Sequence, residues 1–308
     1  MIYTCTMNTA IDIFMETQDL KPNIVNRAAA QDVQPNGKGV NVSFVLKMLG
    51  VNSIALGFIG GFTGDFIKAE LAKKSIKSNF VRIDGLTRLN VFTKVKSKGQ
   101  EYKLVNRGPQ VLSADFDKLL NIIGSLKKND ILCVSGSVPP GAPKKIDVSI
   151  MEAAAQKGVQ VIFDSESIDV RSIASRKPFL LKPNLDELAK WFGAPRKIDR
   201  KGAVLCGKKL LKWGVQNVLI SMGSKGAIFL NKEACIYANA PSGEVVNTAC
   251  SGDTLLAVFL AYILKEKDYS YALKQAVAAG SSTAFRAGLT DFSDVEQLSK
   301  QVKVLNLA

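Results

Sequence analysis

The sequence predicts an α/β fold in three layers, an α/β/α sandwich with a mostly parallel central sheet and a small β-flap beside it. Three observations lead to this prediction. Short apolar segments recur along the chain, segments with helical spacing lie between them, and two regions alternate apolar with polar residues instead. Strands that alternate with helices form parallel sheets covered on both faces. We expect one domain over residues 1–308, a length that large α/β folds reach.

The strands and helices are assigned from these patterns in chain order. Residues 1–7 predict a first strand, and further apolar runs predict strands at 54–58, 131–135, 159–163, 179–182, 218–221 and 227–230. The spacing i, i+3, i+4, i+7 from Val42 to Leu49 predicts a helix that ends at Gly50. Other apolar helices are predicted around 272–285 and from near Thr254, the latter after a strand-like pair, Val245 and Val246.

Two regions, residues 12–33 and 79–105, alternate like strands and contain polar breaks, most clearly at 89–95. They predict an antiparallel flap next to the main sheet. Ligands of open α/β sheets bind at the carboxyl ends of the strands. A flap at that edge would cover a site and exclude water from it.

The charge and the cysteines limit the function classes. A net charge of +14 is compatible with nucleic acid, anionic lipid or anionic small molecules as partners. The lysines are dispersed, and no basic arm or apolar run of roughly 18 residues occurs, so we expect no nucleic acid and no membrane partner. The chain contains no histidine, which excludes His-based triads and His-ligated metals. Five scattered cysteines and a start without a basic leader predict a cytoplasmic protein.

The most informative segment runs from Thr248 to Thr254, where a turn of small residues leads into an apolar helix. Backbone N–H groups at such a helix start, together with the helix dipole, form a seat for an anion such as a phosphoryl group. Asp253 lies beside that seat, where a carboxylate would repel a phosphate unless it accepts a proton from an attacking hydroxyl. An ordinary N-terminal helix cap explains the aspartate about equally well.

A second segment, from Asn36 to Val42, places Gly37 and Gly39 on either side of Lys38 just before a helix. Glycine allows close backbone approach to a ligand and lysine supplies positive charge, so we favour ligand contact, shared by Asn41, over a simple turn. Arg27, Arg88 and Lys103 of the flap are candidates for gripping a phosphate, although single basic residues are more often solvated surface charges.

Three further segments each keep two interpretations. Asn184 and Glu187 follow a strand and either orient phosphate and Mg²⁺-bound water or form a capping box. Residues 221–226 either make a hairpin turn or present N–H groups to nucleotide phosphates. Residues 280–282 indicate close backbone approach, either to another helix or to a flat base.

Taken in order, these segments resemble the ribokinase-like (PfkB) carbohydrate kinases along nearly the whole chain. Residues 7–12 resemble the opening motif with its sugar-binding Asp12, and residues 37–41 and 247–254 resemble the two family signatures. Residues 136–141 and the Lys182-Pro183-Asn184…Glu187 run resemble internal motifs. Residues 87–91 and 163–165 are most similar to the 1-phosphofructokinase and tagatose-6-phosphate kinase branch.

The resemblance implies a ribokinase-like fold with the flap over the active site, and ATP-dependent phosphorylation of a hexose monophosphate. Fructose 1-phosphate, giving fructose 1,6-bisphosphate, is the first choice; tagatose 6-phosphate, or a catalytically weakened regulator that only binds sugar phosphate, is the alternative. The implied catalytic residues are Asp253 as base with Cys250, Ser251 and Gly252. The implied substrate-binding residues are Asp12, Arg27, Gly37, Lys38, Gly39, Asn41, Arg88, Asn90, Lys103 and Ser137. The implied ATP-binding residues are Lys182, Asn184, Glu187, Ser221, Gly223, Ser224, Gly226 and Ser282, with Glu187 also serving Mg²⁺.

Two positions depart from the family pattern. Cys250 stands where the second signature usually has glycine, and Asn36 stands where the first usually has glycine or alanine. A side chain at position 250 would narrow the anion seat or disfavour a positive φ, which bears on catalytic efficiency more than on fold. The expected partners are a sugar phosphate and MgATP, and a homodimer through the flap is the one assembly considered.

Overall fold

The computed structural model describes residues 1–165, 168–194, 198–265 and 268–307. Its strands are β1 (Ile2–Thr6), β2 (Ala10–Thr17), β3 (Ala30–Asn36), β4 (Ser53–Ile59), β5 (Lys77–Ser78), β6 (Val81–Arg82), β7 (Arg88–Val95), β8 (Gln100–Leu104), β9 (Ile131–Ser135), β10 (Gln160–Asp164), β11 (Leu180–Leu181), β12 (Asn217–Ser221), β13 (Ala227–Leu230), β14 (Cys235–Ala238) and β15 (Val304–Asn306). Its helices are α1 (Lys38–Met48), α2 (Gly61–Lys73), α3 (Ser113–Gly124), α4 (Ile146–Ala155), α5 (Val170–Ala174), α6 (Leu185–Phe192), α7 (Arg200–Trp213), α8 (Ser251–Leu264), α9 (Tyr269–Ala284) and α10 (Val295–Gln301).

The central sheet has the order β15-β14-β13-β12-β11-β10-β9-β1-β4-β5, with β6 also paired to β4. Pairing is parallel from β12 through to β4 and its neighbours β5 and β6. Among the described residues, the antiparallel pairs of this sheet lie at one edge, from β12 through β15. The mostly parallel α/β sheet predicted from the sequence is therefore confirmed.

Helices cover both faces of this sheet, and alternate residues of a central strand enter different cores. In β9, Leu132 and Val134 belong to the core with α3 to α7, whereas Ile131 and Cys133 belong to the core with α1, α8, α9 and α10. Burial on both faces explains why the strands read as continuous apolar runs. Within the described ranges, none of the helices combines the length and apolar character needed to cross a bilayer.

The flap is a separate four-stranded sheet with the order β3-β2-β7-β8. The prediction of a wholly antiparallel flap is wrong, since β2 and β7 pair in parallel from Ala10↔Arg88 to Thr17↔Val95. Both strands leave the same edge of the main sheet: β2 follows β1, and β7 follows β6, which is parallel to β4. Two strands that start at one edge and extend away from it must run in the same direction.

The flap boundaries also differ from the predicted ones. Strand β2 begins at Ala10 and β3 continues to Asn36, so the first segment extends past both ends of 12–33. Residues 81–82 belong to the main sheet, where β6 pairs with β4. The predicted strand at Val245 and Val246 is absent from this described part of the chain; both side chains are exposed, and the Val246 N–H donates to the carbonyl of Ala284.

Candidate active site

The turn before α8 ends in an unusual backbone conformation. Cys250 occupies the cap position with φ 63° and ψ −6°, in the left-handed region that non-glycine residues seldom adopt. The helix begins at Ser251, three residues earlier than predicted, and its first bond runs from the Thr254 N–H to the Cys250 carbonyl at 2.9 Å. Cys250 is thus the cap residue and makes no side-chain cap bond. Asp253 lies in the first turn and is not the cap.

Asp253 is buried, and its contacts come from another part of the chain. The Asn41 side chain, on α1, donates from Nδ2 to Asp253 Oδ2 at 2.8 Å. Burial, followed by the negative charge of Asp164, raises the pKa of Asp253 to about 7, against the opposing effects of the Asn41 hydrogen bond and of Lys38 and Lys182. A carboxylate with a pKa near the working pH is suited to general base catalysis.

A cluster of three charges, the buried Asp164 and Lys182 and the partly exposed Lys38, lies next to this aspartate. Lys38 Nζ and Lys182 Nζ both contact Oδ1 of Asp164, at 2.9 and 3.1 Å. Burial acts to raise the pKa of Asp164, but the two lysines outweigh it and hold this pKa below its ordinary value. A Cβ placed on Gly252 would lie 3.3 Å from Lys182 Nζ, so the lysine ammonium lies close to the N-terminus of α8. The cluster adds positive charge to the anion seat.

Asp12, on β2, is the second buried carboxylate of the site. Asn90 of the neighbouring strand β7 donates to its Oδ1 at 2.8 Å, and the Asn36 amide donates to its Oδ2. Burial raises the pKa of Asp12, and these two hydrogen bonds oppose the shift. The flap therefore presents a carboxylate that is already oriented by two amide donors, as a receptor for sugar hydroxyls requires.

Arg88 is the first residue of β7 and lies at the base of the flap. Its Nη1 donates to the Asn106 carbonyl at 3.0 Å, and its Nη2 donates to the Asn8 carbonyl at 3.2 Å. The buried Nε has no hydrogen-bond partner within the described residues. The Asn8 side-chain amide also donates to Ser137 Oγ at 3.1 Å. Asn8 thus contacts both Arg88 and Ser137, two of the predicted substrate-binding residues.

Two other predicted basic residues lie apart from this cluster. Arg27 is exposed in the loop between β2 and β3. Lys103 is half-exposed on β8 and pairs with Glu101 at 2.8 Å. Neither side chain hydrogen-bonds to Asp12, Arg88 or Ser137 in the described part of the chain, so a role in phosphate binding stays a prediction for both.

The glycines of the first signature allow α1 to approach β1 closely. Gly37 has φ 131°, and a Cβ there would come within 2.6 Å of Thr6 Cγ2. A Cβ on Gly39 would lie 2.6 Å from Thr6 Oγ1, the atom that accepts the Val40 N–H. This close packing places Lys38 and Asn41 at the carboxyl end of the sheet.

Asn184 and Glu187 form a reciprocal capping box at the start of α6. The Glu187 N–H donates to Asn184 Oδ1, and the Asn184 N–H donates to Glu187 Oε2, both at 2.8 Å. Asn184 also bridges to Ser221 at the end of β12. The capping-box interpretation is therefore correct for these side chains, while contact with nucleotide phosphate stays a prediction.

The segment after Ser221 is a hairpin turn, with a 3₁₀ helix at Gly223–Lys225 between β12 and β13. Gly226 has φ 89°, and a Cβ there would lie 1.9 Å from the Ala238 carbonyl, so only glycine fits. Gly223 and Ser224 are exposed and remain available to a ligand. Their contact with ATP stays a prediction.

Ser282 is buried, and its predicted contact with the nucleotide stays a prediction. Its hydroxyl bonds to Thr290 Oγ1 at 2.7 Å and donates to Asp294 Oδ1 at 2.5 Å, entirely within the protein. A Cβ on Gly280 would meet the Ser251 carbonyl at 3.1 Å. Packing of α9 on α8 therefore accounts for the small residues of this segment.

Comparison with known proteins agrees with this geometry. The model of the pfkB family carbohydrate kinases matches residues 4–296. The chain belongs to this family. It is 44% identical over 307 residues to the D-tagatose-1-phosphate kinase of Bacillus licheniformis, and 38% identical over 308 residues to the 1-phosphofructokinase of Bacillus subtilis, each alignment covering 100% of both chains. Phosphofructokinase-2 from Escherichia coli in complex with substrates and products superposes with a TM-score of 0.90 at 25% identity, covering 97% of this chain and 98% of that one.

The predicted kinase class and ribokinase-like fold are thus confirmed, but sequence reasoning missed parts of this kinase site. Asp164 had no assigned role, although it is the counter-charge for Lys38 and Lys182. Asn36 was noted only as a departure from the family pattern, although it contacts Asp12. The position of Asp164 at the carboxyl end of β10 was the available signal, since ligands of parallel sheets bind at that edge.

Proposed function

We propose that this kinase transfers the γ-phosphoryl group of ATP to a hydroxyl of a ketohexose 1-phosphate, with fructose 1-phosphate as its first substrate and fructose 1,6-bisphosphate as the product. The observation that carries the proposal is the buried Asp253, whose pKa of about 7 and first-turn position in α8 suit a base beside a phosphoryl seat. The nearby Asp12, held by two amides, supports a polyhydroxylated acceptor.

In the proposed reaction, an acceptor hydroxyl held by Asp12 and Asn41 attacks the γ-phosphoryl group in line. A carboxylate oxygen of Asp253 takes the proton of that hydroxyl as the new P–O bond forms. The first N–H groups of a helix have no intrahelical partner, so those of Gly252 and Asp253 are suited to steady the charge of the transferring group. Lys38 and Lys182 add positive charge on the same side.

Glu187 fits a role beside a magnesium ion that is held chiefly by nucleotide phosphates. Its carboxyl group is buried, and only Oε2 takes part in the capping box. Among the described residues, no group of three or more His, Cys, Asp or Glu side chains forms a metal site. One or two carboxylates plus substrate phosphates are the usual magnesium ligands in phosphoryl transfer. When bound, Mg²⁺ supplies positive charge that offsets the charge of the phosphates.

The phosphate of the substrate is assigned to Arg88, with Ser137 and Lys38 nearby. Nη1 and Nη2 of Arg88 each carry two hydrogens and each donate one to a backbone carbonyl, so each has a second N–H for a ligand oxygen. Placement of this charge at the base of the flap supports an acceptor that carries a phosphate, not a neutral sugar.

Tagatose 1-phosphate is the second candidate substrate, and the relative that carries this name at 44% identity favours it. Steady-state kinetics with MgATP and fructose 1-phosphate, tagatose 1-phosphate, tagatose 6-phosphate, fructose 6-phosphate and ribose would decide between the candidates. We expect the highest kcat/KM with a ketohexose 1-phosphate. Better turnover of an unphosphorylated sugar would refute the substrate class, and sugar-phosphate binding without turnover would favour the regulator alternative.

We also infer a homodimer through the flap and a cytoplasmic location. The outer flap exposes the apolar side chains of Val33, Tyr102 and Leu104, which a second copy could cover. Five free cysteines fit a reducing compartment. Light scattering after size exclusion checks the first inference: Leu104→Lys should yield monomers, and a wild-type monomer at micromolar concentration would contradict it.

A further inference from the structure

The Asn36 side chain lies between the two buried carboxylates of the site. Its Nδ2 donates to Asp12 Oδ2, and its Oδ1 accepts from Asn41 Nδ2 at 2.9 Å. Asn41 Nδ2 in turn donates to Asp253 Oδ2 at 2.8 Å. An unbroken row of hydrogen bonds therefore joins the carboxylate of the flap to the carboxylate of α8.

The carboxylates decide how both amides are oriented. An ionised carboxylate only accepts hydrogen bonds, so Asn36 and Asn41 must each turn an NH₂ group towards their aspartate. Asn36 Oδ1 is then left to face Asn41, and it also accepts the N–H of Gly37. Each end of the Asn36 amide thus has a definite partner. If the amide were rotated to exchange its O and N atoms, Asn36 Oδ1 would face Asp12 Oδ2, and neither oxygen could donate a hydrogen.

Cys250 also contacts the Asn41 amide. Asn41 Nδ2 lies 3.2 Å from Cys250 Sγ, in addition to its contacts with Asn36 and Asp253. An NH₂ group has two hydrogens, so three acceptors compete for them. Oxygen accepts more strongly than sulfur, and the two oxygens hold the hydrogens as long as both are present. Removing the Asn36 oxygen would free one hydrogen for the sulfur.

Resting on the proposed function, we propose that Asn36 is a positioning residue that couples the sugar-binding carboxylate of Asp12 to the base Asp253 through the amide of Asn41, with Cys250 as the competing acceptor. Asn36 holds Asp12 towards the sugar and keeps Asn41 on Asp253. Without Asn36, the Asn41 amide turns towards Cys250 Sγ and the base loses its alignment.

The charged surroundings predict the direction of a pH effect. Arg88 and the thiol of Cys250 face Asp12, while Asp164, Lys38, Lys182 and Cys250 face Asp253. A hydrogen-bond donor stabilises an ionised carboxylate, so loss of the Asn36 donor raises the pKa of Asp12. The decline of kcat/KM for the sugar phosphate that protonation of Asp12 adds to the one set by Asp253 should consequently begin at higher pH. A residue that only supports the fold would lower stability without moving this decline.

A double-mutant cycle tests the coupling. Asn36→Ala and Cys250→Gly are made singly and together, and kcat/KM for the preferred ketohexose 1-phosphate is measured from pH 5 to 9. We expect Asn36→Ala to lower kcat/KM about tenfold when Cys250 is present and only about twofold in the Cys250→Gly protein, a fivefold coupling within the range for contacting residues. KM for ATP should stay unchanged in both.

Asn90→Ala provides the matched control cycle. Asn90 donates to the other oxygen of Asp12 but forms no hydrogen bond with Asn41 or Cys250 in the described part of the chain. Asn90→Ala should therefore lower kcat/KM by the same factor in the wild-type protein and in the Cys250→Gly protein. It too raises the pKa of Asp12. This control separates the loss of a donor to Asp12 from the coupling to the base.

Asn36→Asp keeps the shape of the side chain and the acceptor for Asn41 but removes the donor to Asp12, so it serves if the alanine variant fails to fold. It should move the acid limb of kcat/KM to higher pH. Cys250→Gly should change kcat/KM by the same factor in the Asn36→Asp protein as in the wild type. The inference would be overturned if Asn36→Ala lowered kcat/KM by the same factor, to within twofold, in the wild-type protein and in the Cys250→Gly protein. A wild-type protein that phosphorylates no ketohexose phosphate would instead contradict the proposed function.

Discussion

Protonation of Asp253 should control the rate of phosphoryl transfer near neutral pH. Burial and the negative charge of Asp164 place its pKa at about 7, and only the ionised form can accept the hydroxyl proton. The rate therefore falls as pH decreases through that value. One pH unit below it, about a tenth of the molecules carry an ionised base, and two units below it about a hundredth do, so kcat should fall about tenfold per pH unit in this range.

Asp253→Asn removes the proton acceptor and keeps the shape of the side chain. Its oxygen can still accept the Asn41 amide, so fold and ligand binding should persist. We expect kcat at pH 8 to fall by about 10²–10⁴, the usual contribution of a general base. The residual rate should lose its dependence on pH between 5 and 8, because the group that titrates there is gone.

The same substitution should raise stability at neutral pH. The folded-state pKa of Asp253 is raised from 3.8 to about 7, so the folded protein binds more protons than the unfolded chain between these values, and stability falls as pH rises through them. At about 1.4 kcal/mol per pH unit, the upper limit of this loss is about 4 kcal/mol at pH 8. Asp253→Asn should thus have a higher Tm than the wild type at pH 8 and a similar Tm at pH 4.

The assay is direct chromatographic measurement of ADP formed with MgATP and fructose 1-phosphate, which avoids coupling enzymes with their own pH dependence. Asp115→Asn is the matched control, since Asp115 is also a buried first-turn aspartate but lies on α3 and pairs with Lys118. It should leave the pH profile unchanged. A variant at 253 with kcat within about threefold of the wild type, or a wild-type kcat that is flat down to pH 5, would refute the assignment of Asp253 as base.

Three further predictions follow from single contacts. Cys250→Gly should leave kcat within about twofold of the wild type, because Asn36 and Asp253 already hold both hydrogens of the Asn41 amide; a large loss of activity would show that the thiol is required. Arg88→Ala should raise KM for fructose 1-phosphate about ten- to a hundredfold, from about 1.5–3 kcal/mol per charge-assisted contact, with KM for ATP unchanged; equal changes in both KM values would contradict phosphate binding. Gly39→Ala should destabilise the protein by about 1–3 kcal/mol, because its Cβ would lie 2.6 Å from Thr6 Oγ1. Gly124→Ala, whose Cβ meets nothing within 4 Å, is the control, and equal Tm values for the two variants would count against this crowding.

The sequence by itself determined the layers of the fold and the approximate start of α8. Strands β9 and β13 were predicted with the bounds that the structure has, because burial on both faces produces unbroken apolar runs between polar turns. The start of α8 was predicted to within three residues from its small-residue turn. These features are local, so the side chains that report them are neighbours in the sequence.

The tertiary structure alone decided how the flap pairs and which side chains meet in the site. Parallel pairing of β2 with β7 depends on both strands leaving the same edge of the sheet, which no local pattern records. Asn41 and Asp253 are 212 residues apart in the chain, and Lys38 and Asp164 are 126 apart. Periodicity identifies the buried face of an element but not the partner across it. Contacts such as Asn36 with Asp12 therefore exist only because the packing of the flap, the sheet and α1 brings their ends together.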